Sequence, residues 1–525
     1  MLFKFKPEYK TLLILAFLNL LIRMPSINHS VGSYAFFDEE LYRKEMSRLI
    51  ENKSLILSFF KSGNMNILPV ALILVPIEKF FDFSFNLENI TIFARIFFNI
   101  FLNSISFIFL FRINKLLNRH LLKKNINDIY IGLLFLFNPY LFSNSRIWYA
   151  NSYLYLVSIV TIYYLLIIYF EDISYNNLTK LILSISVGAS IKYNYTIFFL
   201  CIFFLYINKV REDNQFYFLK IIYSSTLFIA LLLAFNYSAL INFEQFLYDF
   251  NFNIKNYGPI ISTNDGNIYF SFGKYFWRNV YHALFLFVVP VNIFGFLFLF
   301  FSLYRFITKK NLFLINLFFV FPLLYILYIS LYPTFLNRNI NFLVPLILIS
   351  LYFGIATINN SERKMYNKSS KILIACFSFI YLFMFVSILY DDFQKDSRLQ
   401  AEEWIQDNLI EDNLVVGYNF GYTGTPARLI PSSVSDSFIE KDLDYYIFDD
   451  FWANSFFDIK DRRNILFVLN HKNSHFYYDS NYQFIESNLT DLSKFTISKD
   501  YELVKSFIGN GPRIFVFKKI NWLFI

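Results

Sequence analysis

Thr11-Leu12-Leu13-Ile14-Leu15-Ala16-Phe17-Leu18-Asn19-Leu20-Leu21-Ile22 is an apolar run, and a short polar connection leads from it to Phe36-Phe37-Asp38-Glu39-Glu40-Leu41-Tyr42. A first membrane span over about 11–28 followed at once by carboxylates needs a reason, because charge near a bilayer is costly unless it is paired, solvated or functional. The plain alternative is an ordinary acidic loop with Arg43 and Lys44 as neighbours.

Composition widens the first observation to the whole chain. The 525 residues are 56% hydrophobic and only 16% charged, against about 25% charged in soluble proteins. Apolar runs of spanning length recur, which predicts a polytopic α-helical membrane protein. The formal net charge of +8 is spread over short loops, so it reads as membrane orientation and excludes a nucleic-acid footprint. Cys201 and Cys376 sit inside apolar runs as core packers, and no disulfide framework is implied. No cleavage site follows the first run, so it reads as a retained helix. No Walker loop, zinc spacing or Ser/His/Asp arrangement is visible, which leaves ATP-driven transport without support.

Basic clusters fix the orientation. Lys4, Lys6 and Lys10 place the N-terminus in the cytoplasm, and cytoplasmic loops follow at Arg112–Lys124, Lys209–Lys220, Arg305–Lys310 and Arg363–Lys371. The count is about eleven crossings. A first outer loop, 31–90, holds a polar helix over Glu39–Asn52 and a short apolar piece over Ile67–Phe81, read as interfacial or re-entrant. Short spans over about 179–191 and 193–207 meet at Lys192-Tyr193-Asn194, and an outer loop at 242–278 carries the turn signals Gly258-Pro259 and Asp265-Gly266. The transmembrane domain is 1–390. From 391 to 525 a small extracytoplasmic α/β domain is expected: an amphipathic helix over Asp396–Leu409, then β-like runs at Leu414–Tyr418, Tyr445–Phe448, Ile465–Leu469, Leu503–Ile508 and Arg513–Phe517.

This topology gathers Asp38, Glu39, Lys61, Arg95, Arg146, Asn151, Lys192 and Arg338 on the outer face. A carboxylate can take a proton from an attacking hydroxyl, and cations can hold a phosphate leaving group. Each basic residue also has a plain reading. Arg95 fits a snorkelling or packing residue, Arg146 and Arg338 fit headgroup anchors, and Lys192 fits a snorkelling lysine.

The order of short motifs resembles the GT-C class of polyprenyl-phosphate-sugar-dependent glycosyltransferases, nearest to the protein O-mannosyltransferases and the aminoarabinose transferases of lipid A. Phe37-Asp38-Glu39 resembles the class's first-loop acidic motif, and Phe60-Lys61-Ser62 with Leu68-Pro69 its donor-contacting lysine or proline motif. Ala94-Arg95, Gly188-Ala189-Ser190-Ile191-Lys192-Tyr193, Arg338 with Pro345, and Asp396-Ser397-Arg398 with Trp404-Ile405 match later segments. Two departures stand out: single prolines replace a double-proline motif, and Asn151 stands where many relatives carry a second aspartate.

The resemblance implies a transferase in the bacterial inner (plasma) membrane. It would move a sugar from undecaprenyl or dolichyl phosphate to a lipid, glycan or protein acceptor, inverting the anomeric carbon. Asp38 would be the catalytic base and Glu39 its support, while Lys61, Lys192, Arg338 and Arg146 would bind the donor phosphate. No cofactor is fixed, and a divalent metal is left open. The rival is a non-enzymatic flippase of lipid-linked sugars, which would need polar residues through the membrane midplane rather than at one surface.

Overall fold

The computed structural model describes residues 7–27, 37–58, 60, 63–81, 84–122, 126–144, 148, 150–213, 218–257, 261–264, 267–270, 274–331, 340–359, 364–392, 397–408, 416–419, 445–449, 501–507 and 514–519. The chain is a helical, polytopic membrane protein, and it divides into two compact units. One comprises 1–24 and 42–385, and the other 25–41 and 386–525.

Among the described residues seven helices are long and apolar enough to cross a membrane: Leu87–Leu122, Tyr153–Phe170, Tyr193–Val210, Phe218–Phe235, Val291–Thr308, Leu312–Ile329 and Asn341–Asn359. Other segments expected to cross are also helical but shorter or more polar, among them α1 (Pro7–Ile27), the helix Tyr175–Ile191 and the apolar stretch Lys371–Ser387. The segment expected over 129–144 is broken in two: one helix stops at Leu136, and Pro139, unable to donate a backbone hydrogen bond, starts the next. The first-loop expectations take form as α2 (Phe37–Glu51) and α3 (Leu68–Phe81).

Helix Val344–Asn359 is the centre of the larger unit, buried along most of its length. Against it packs Lys274–Thr308, with Ser302 and Ser350 hydroxyls 3.0 Å apart and the Phe306 and Phe353 rings stacked at 4.8 Å. A hydroxyl pair of this kind satisfies both side chains across a helix interface from which water is excluded. The helix Phe218–Phe235 lies at the other extreme. It exposes Leu219, Ile222, Ile229 and Leu233, a surface suited to lipid tails and unsuited to water.

In the smaller unit, four strands form one sheet in the order β3-β4-β6-β5. They are β3 (Val416–Asn419), β4 (Tyr445–Asp449), β5 (Tyr501–Phe507) and β6 (Ile514–Lys519). β3 and β4 run parallel, and the other neighbours are antiparallel. Helix Ser397–Asn408 sets Trp404 6.1 Å from Phe507 of β5, and Ala401 on the same helix is buried. The run Ile465–Leu469 lies outside the described residues. In the larger unit, a hairpin of β1 (Ile261–Asn264) and β2 (Asn267–Phe270) flanks Asp265-Gly266.

Candidate functional site

The site is built on a break in one helix. Tyr175–Ile191 ends at Lys192, a single extended residue (φ −146°, ψ 117°), and a 3-10 turn, Tyr193–Phe198, begins at once. Lys192 N–H closes onto Gly188 O at 2.9 Å, and Lys192 O accepts from Tyr195 N–H at 2.9 Å. Its backbone therefore caps both elements, while its side chain is half-buried. Gly188 is needed for space: a Cβ there would meet the Tyr195 ring at 2.3 Å. Tyr195 is thereby free to reach Thr161 Oγ1 at 2.9 Å, and Thr161 lies 3.0 Å from Ser184 Oγ.

The first loop docks on this break. Gly63 N–H donates to Ile191 O at 3.2 Å, and a Cβ on Gly63 would lie 1.9 Å from Ser190 O. Asn66 donates its amide to Gly63 O (3.2 Å) and Ile191 O (2.8 Å), and Trp148 Nε1 donates to Asn66 O at 3.1 Å. Tyr193 hydroxyl donates to Phe60 O at 3.3 Å.

Two carboxylates hold the approach to the loop. Glu45, on α2, accepts from Arg48 at 2.7 and 2.9 Å, from Ser58 N–H at 2.5 Å and from Ser58 hydroxyl at 3.0 Å. Burial alone would raise the Glu45 carboxyl, but these hydrogen bonds and the Arg48 charge together hold it below its ordinary value. Asp249 is buried on the amphipathic helix Phe243–Tyr257, where it accepts from Phe60 N–H at 3.0 Å and from Gln245 at 3.2 Å. Ser238 Oγ accepts from Leu57 N–H at 3.1 Å, while Asn242 Nδ2 and the Tyr237 hydroxyl donate to Leu57 O and Leu55 O at 2.8 and 2.6 Å.

The residues named from sequence fall unevenly. Lys192 is at the break itself. Lys61, Arg146 and Arg338 lie outside the described residues, but their described neighbours come together. Phe60 and Gly63 flank Lys61 and bond to Tyr193 and Ile191. Trp148, two residues past Arg146, bonds to Asn66. Phe342, four past Arg338, packs its ring 5.3 Å from Tyr195 and 5.5 Å from Phe198.

The acidic motif opens α2. Asp38 is its second residue, with a side chain outside the described set, and Glu39 is fully buried. A solvated loop therefore does not describe Glu39. Arg95 is likewise fully buried, which excludes the snorkelling reading. Among the described residues no group of three His, Cys, Asp or Glu is gathered to hold a metal ion. The Glu45–Ser58 and Asp249–Phe60 clasps were missed by sequence reasoning. Asp249 has little to single it out in the sequence, being one of two acids, with Glu244, on the helix after span 7.

No family model matches the chain, and no curated protein matches it. Solved structures align with it at low identity. The oligosaccharyltransferase of Archaeoglobus fulgidus in the apo form aligns with a TM-score of 0.49 at 10% identity, over 78% of this chain and 59% of that one. The archaeal oligosaccharyltransferase AglB from A. fulgidus, in complex with an inhibitory peptide and a dolichol-phosphate, aligns at 0.48 and 11% over the same shares. ArnT from Cupriavidus metallidurans, bound to undecaprenyl phosphate, aligns at 0.47 and 10%, over 96% of this chain and 97% of that one. This chain thus spans under two thirds of the oligosaccharyltransferase and nearly all of ArnT.

Proposed function

We propose that the chain transfers a sugar from a polyprenyl-phosphate donor to a lipid, glycan or protein acceptor at the outer face of the plasma membrane, with its C-terminal domain external. One observation carries the reading. The described neighbours of Lys61 and Arg338 meet the turn Ser190–Phe198, which also holds Lys192, and Trp148, two residues past Arg146, bonds to Asn66, which itself bonds to Ile191 of that turn. Four segments from distant parts of the chain, each bearing a cation, suit a phosphate leaving group, whose charge grows as the glycosidic bond breaks. Lys192, Lys61, Arg146 and Arg338 would share that charge. Asp38 would take the proton of the acceptor hydroxyl as it attacks the anomeric carbon from the opposite side, with Glu39 supporting it. The neighbours' own ligands, dolichol-phosphate and undecaprenyl phosphate, are of the donor class proposed here.

The test is transfer of a radiolabelled sugar from its undecaprenyl-phosphate carrier to an envelope extract by purified protein in detergent. Asp38→Asn keeps shape and removes the base, so transfer should fall at least ~100-fold at matched protein level. Glu39→Gln should cost less. Near-wild-type turnover in Asp38→Asn removes Asp38 from the mechanism, and a wild type without any transfer sinks the enzymatic reading in favour of a carrier.

A further inference from the structure

The loop that docks on Ser190–Lys192 carries hydrogen-bonding capacity that no described residue uses. Asn64 and Asn66 are 1% and 2% exposed, at the two ends of a single 3-10 turn whose flanks bond to Ile191. Neither Oδ1 nor Nδ2 of Asn64, nor Oδ1 of Asn66, has a partner among the described residues. Asn236 joins them from the helix end beyond Phe235. Its Nδ2 donates to Ser190 Oγ at 2.8 Å and to Leu232 O at 2.8 Å, while its buried Oδ1 is unpartnered among the described residues. The amide orientations of Asn66 and Asn236 are fixed by chemistry, since in each the nitrogen faces a backbone carbonyl, and only a donor satisfies that.

A buried amide left unsatisfied costs free energy, and three around one turn are not expected of packing alone. The set is neutral, with three carbonyl oxygens and one NH2 group unused. Such a set accepts from hydroxyl or amino groups, and its carbonyl oxygens repel a carboxylate. A ring platform adjoins it: Trp148, bonded to Asn66 O, lies 5.7 Å from Tyr42. We infer that Asn64, Asn66 and Asn236 form the subsite that reads the sugar of the donor, and that this sugar is hydroxyl-rich and carries no carboxylate. The inference rests on the function proposed above and adds the class of sugar to it.

Binding to the purified full chain in detergent tests it, followed through tryptophan fluorescence, for which Trp148 is a built-in reporter. The probes are bare undecaprenyl phosphate and undecaprenyl phosphate carrying glucose, mannose, N-acetylglucosamine or glucuronic acid. At least one neutral sugar should tighten wild-type binding about tenfold over the bare lipid, and glucuronic acid should not. Asn64→Leu, with the same branched skeleton but no hydrogen-bonding group, should erase that gain while leaving the bare lipid unchanged, and the smaller Asn64→Ser is the fallback if the leucine variant unfolds. Equal weakening of bare and sugar-bearing probes makes Asn64 scaffold and overturns the inference. So does tightest binding of the glucuronic acid probe. Binding of the bare lipid with no gain from any neutral sugar overturns the subsite and leaves the transferase reading standing. No binding of any probe removes both.

Discussion

Glu45 and Asp249 do the same mechanical task two residues apart. Each is a buried carboxylate that takes a backbone N–H of the first loop, Ser58 for Glu45 and Phe60 for Asp249. They differ in what balances the charge. Glu45 has the paired guanidinium nitrogens of Arg48, and Arg48 in turn ties down Ile56 O at 2.7 Å, which makes a closed, self-neutralised clasp. Asp249 has only the Gln245 amide and no ion pair among the described residues. A buried ion pair is stabilising only when both partners are well bonded, and an uncompensated buried charge is costly. Glu45 is therefore understood from the fold alone. On the donor site proposed above, Asp249 would be a positioning residue, because the Phe60 it grips precedes Lys61 and offers its carbonyl to Tyr193, next to Lys192.

The strongest way to break this contrast is to move the loop from its other anchor. Gly63 has φ −67° and ψ 155°, which any residue adopts, so its requirement is space alone. The Cβ of Gly63→Ala would stand 1.9 Å from Ser190 O and 2.3 Å from Ser190 C, both backbone atoms that cannot swing aside. Overpacking of this kind costs about 1–3 kcal/mol. Gly63→Ala should lower the thermal midpoint in detergent and weaken binding of undecaprenyl phosphate. Unchanged binding would show that the docked loop is unrelated to the donor site.

Asp249 comes next. Asp249→Ala removes the acceptor for Phe60 N–H and should raise the donor KM about tenfold with kcat little changed, since one buried N–H loses its partner. Asp249→Asn keeps an acceptor oxygen and should restore most of the affinity. That ordering, measured by steady-state transfer, is the signature of positioning. Equal losses in both variants would mean that the charge itself acts, and a loss confined to kcat would place Asp249 in the chemistry.

How far the sequence reached differs between the two parts of the molecule. Spans were legible because a bilayer imposes one rule, apolar length, and the basic loops repeat it as charge. The Gly188…Lys192-Tyr193 motif was legible because its parts are local: the glycine makes room for Tyr195 and the lysine caps two helices. The clasps were not legible. Glu45 and Ser58 are 13 residues apart, Asp249 and Phe60 are 189 apart, and no periodicity links them. Asn64 and Asn66 were also hidden, because in a chain rich in asparagine only burial and an unused amide single them out. The break of 129–144 at Pro139 was missed for another reason: hydropathy averages over a proline that backbone bonding cannot ignore.

The smallest effect tests the Glu45 side of the contrast through pH. The Glu45 carboxyl is held below its ordinary value of 4.5, so between the two values the folded state binds fewer protons than the unfolded chain. Stability from this group is complete above the ordinary value and is lost as pH falls through the lower folded one. Glu45→Gln keeps an oxygen for Ser58 N–H but cannot titrate. The variant should be slightly less stable than wild type at neutral pH, and the difference should shrink below about pH 4.5 as the wild-type carboxylate protonates. Because the Arg48 side chain is 36% exposed, water already screens the pair, so the neutral-pH gap should be no more than ~1 kcal/mol. Thermal unfolding of both proteins across the acid range measures the gap. A gap that is constant with pH would mean that Glu45 acts through packing rather than charge, and the distinction drawn between it and Asp249 would then disappear.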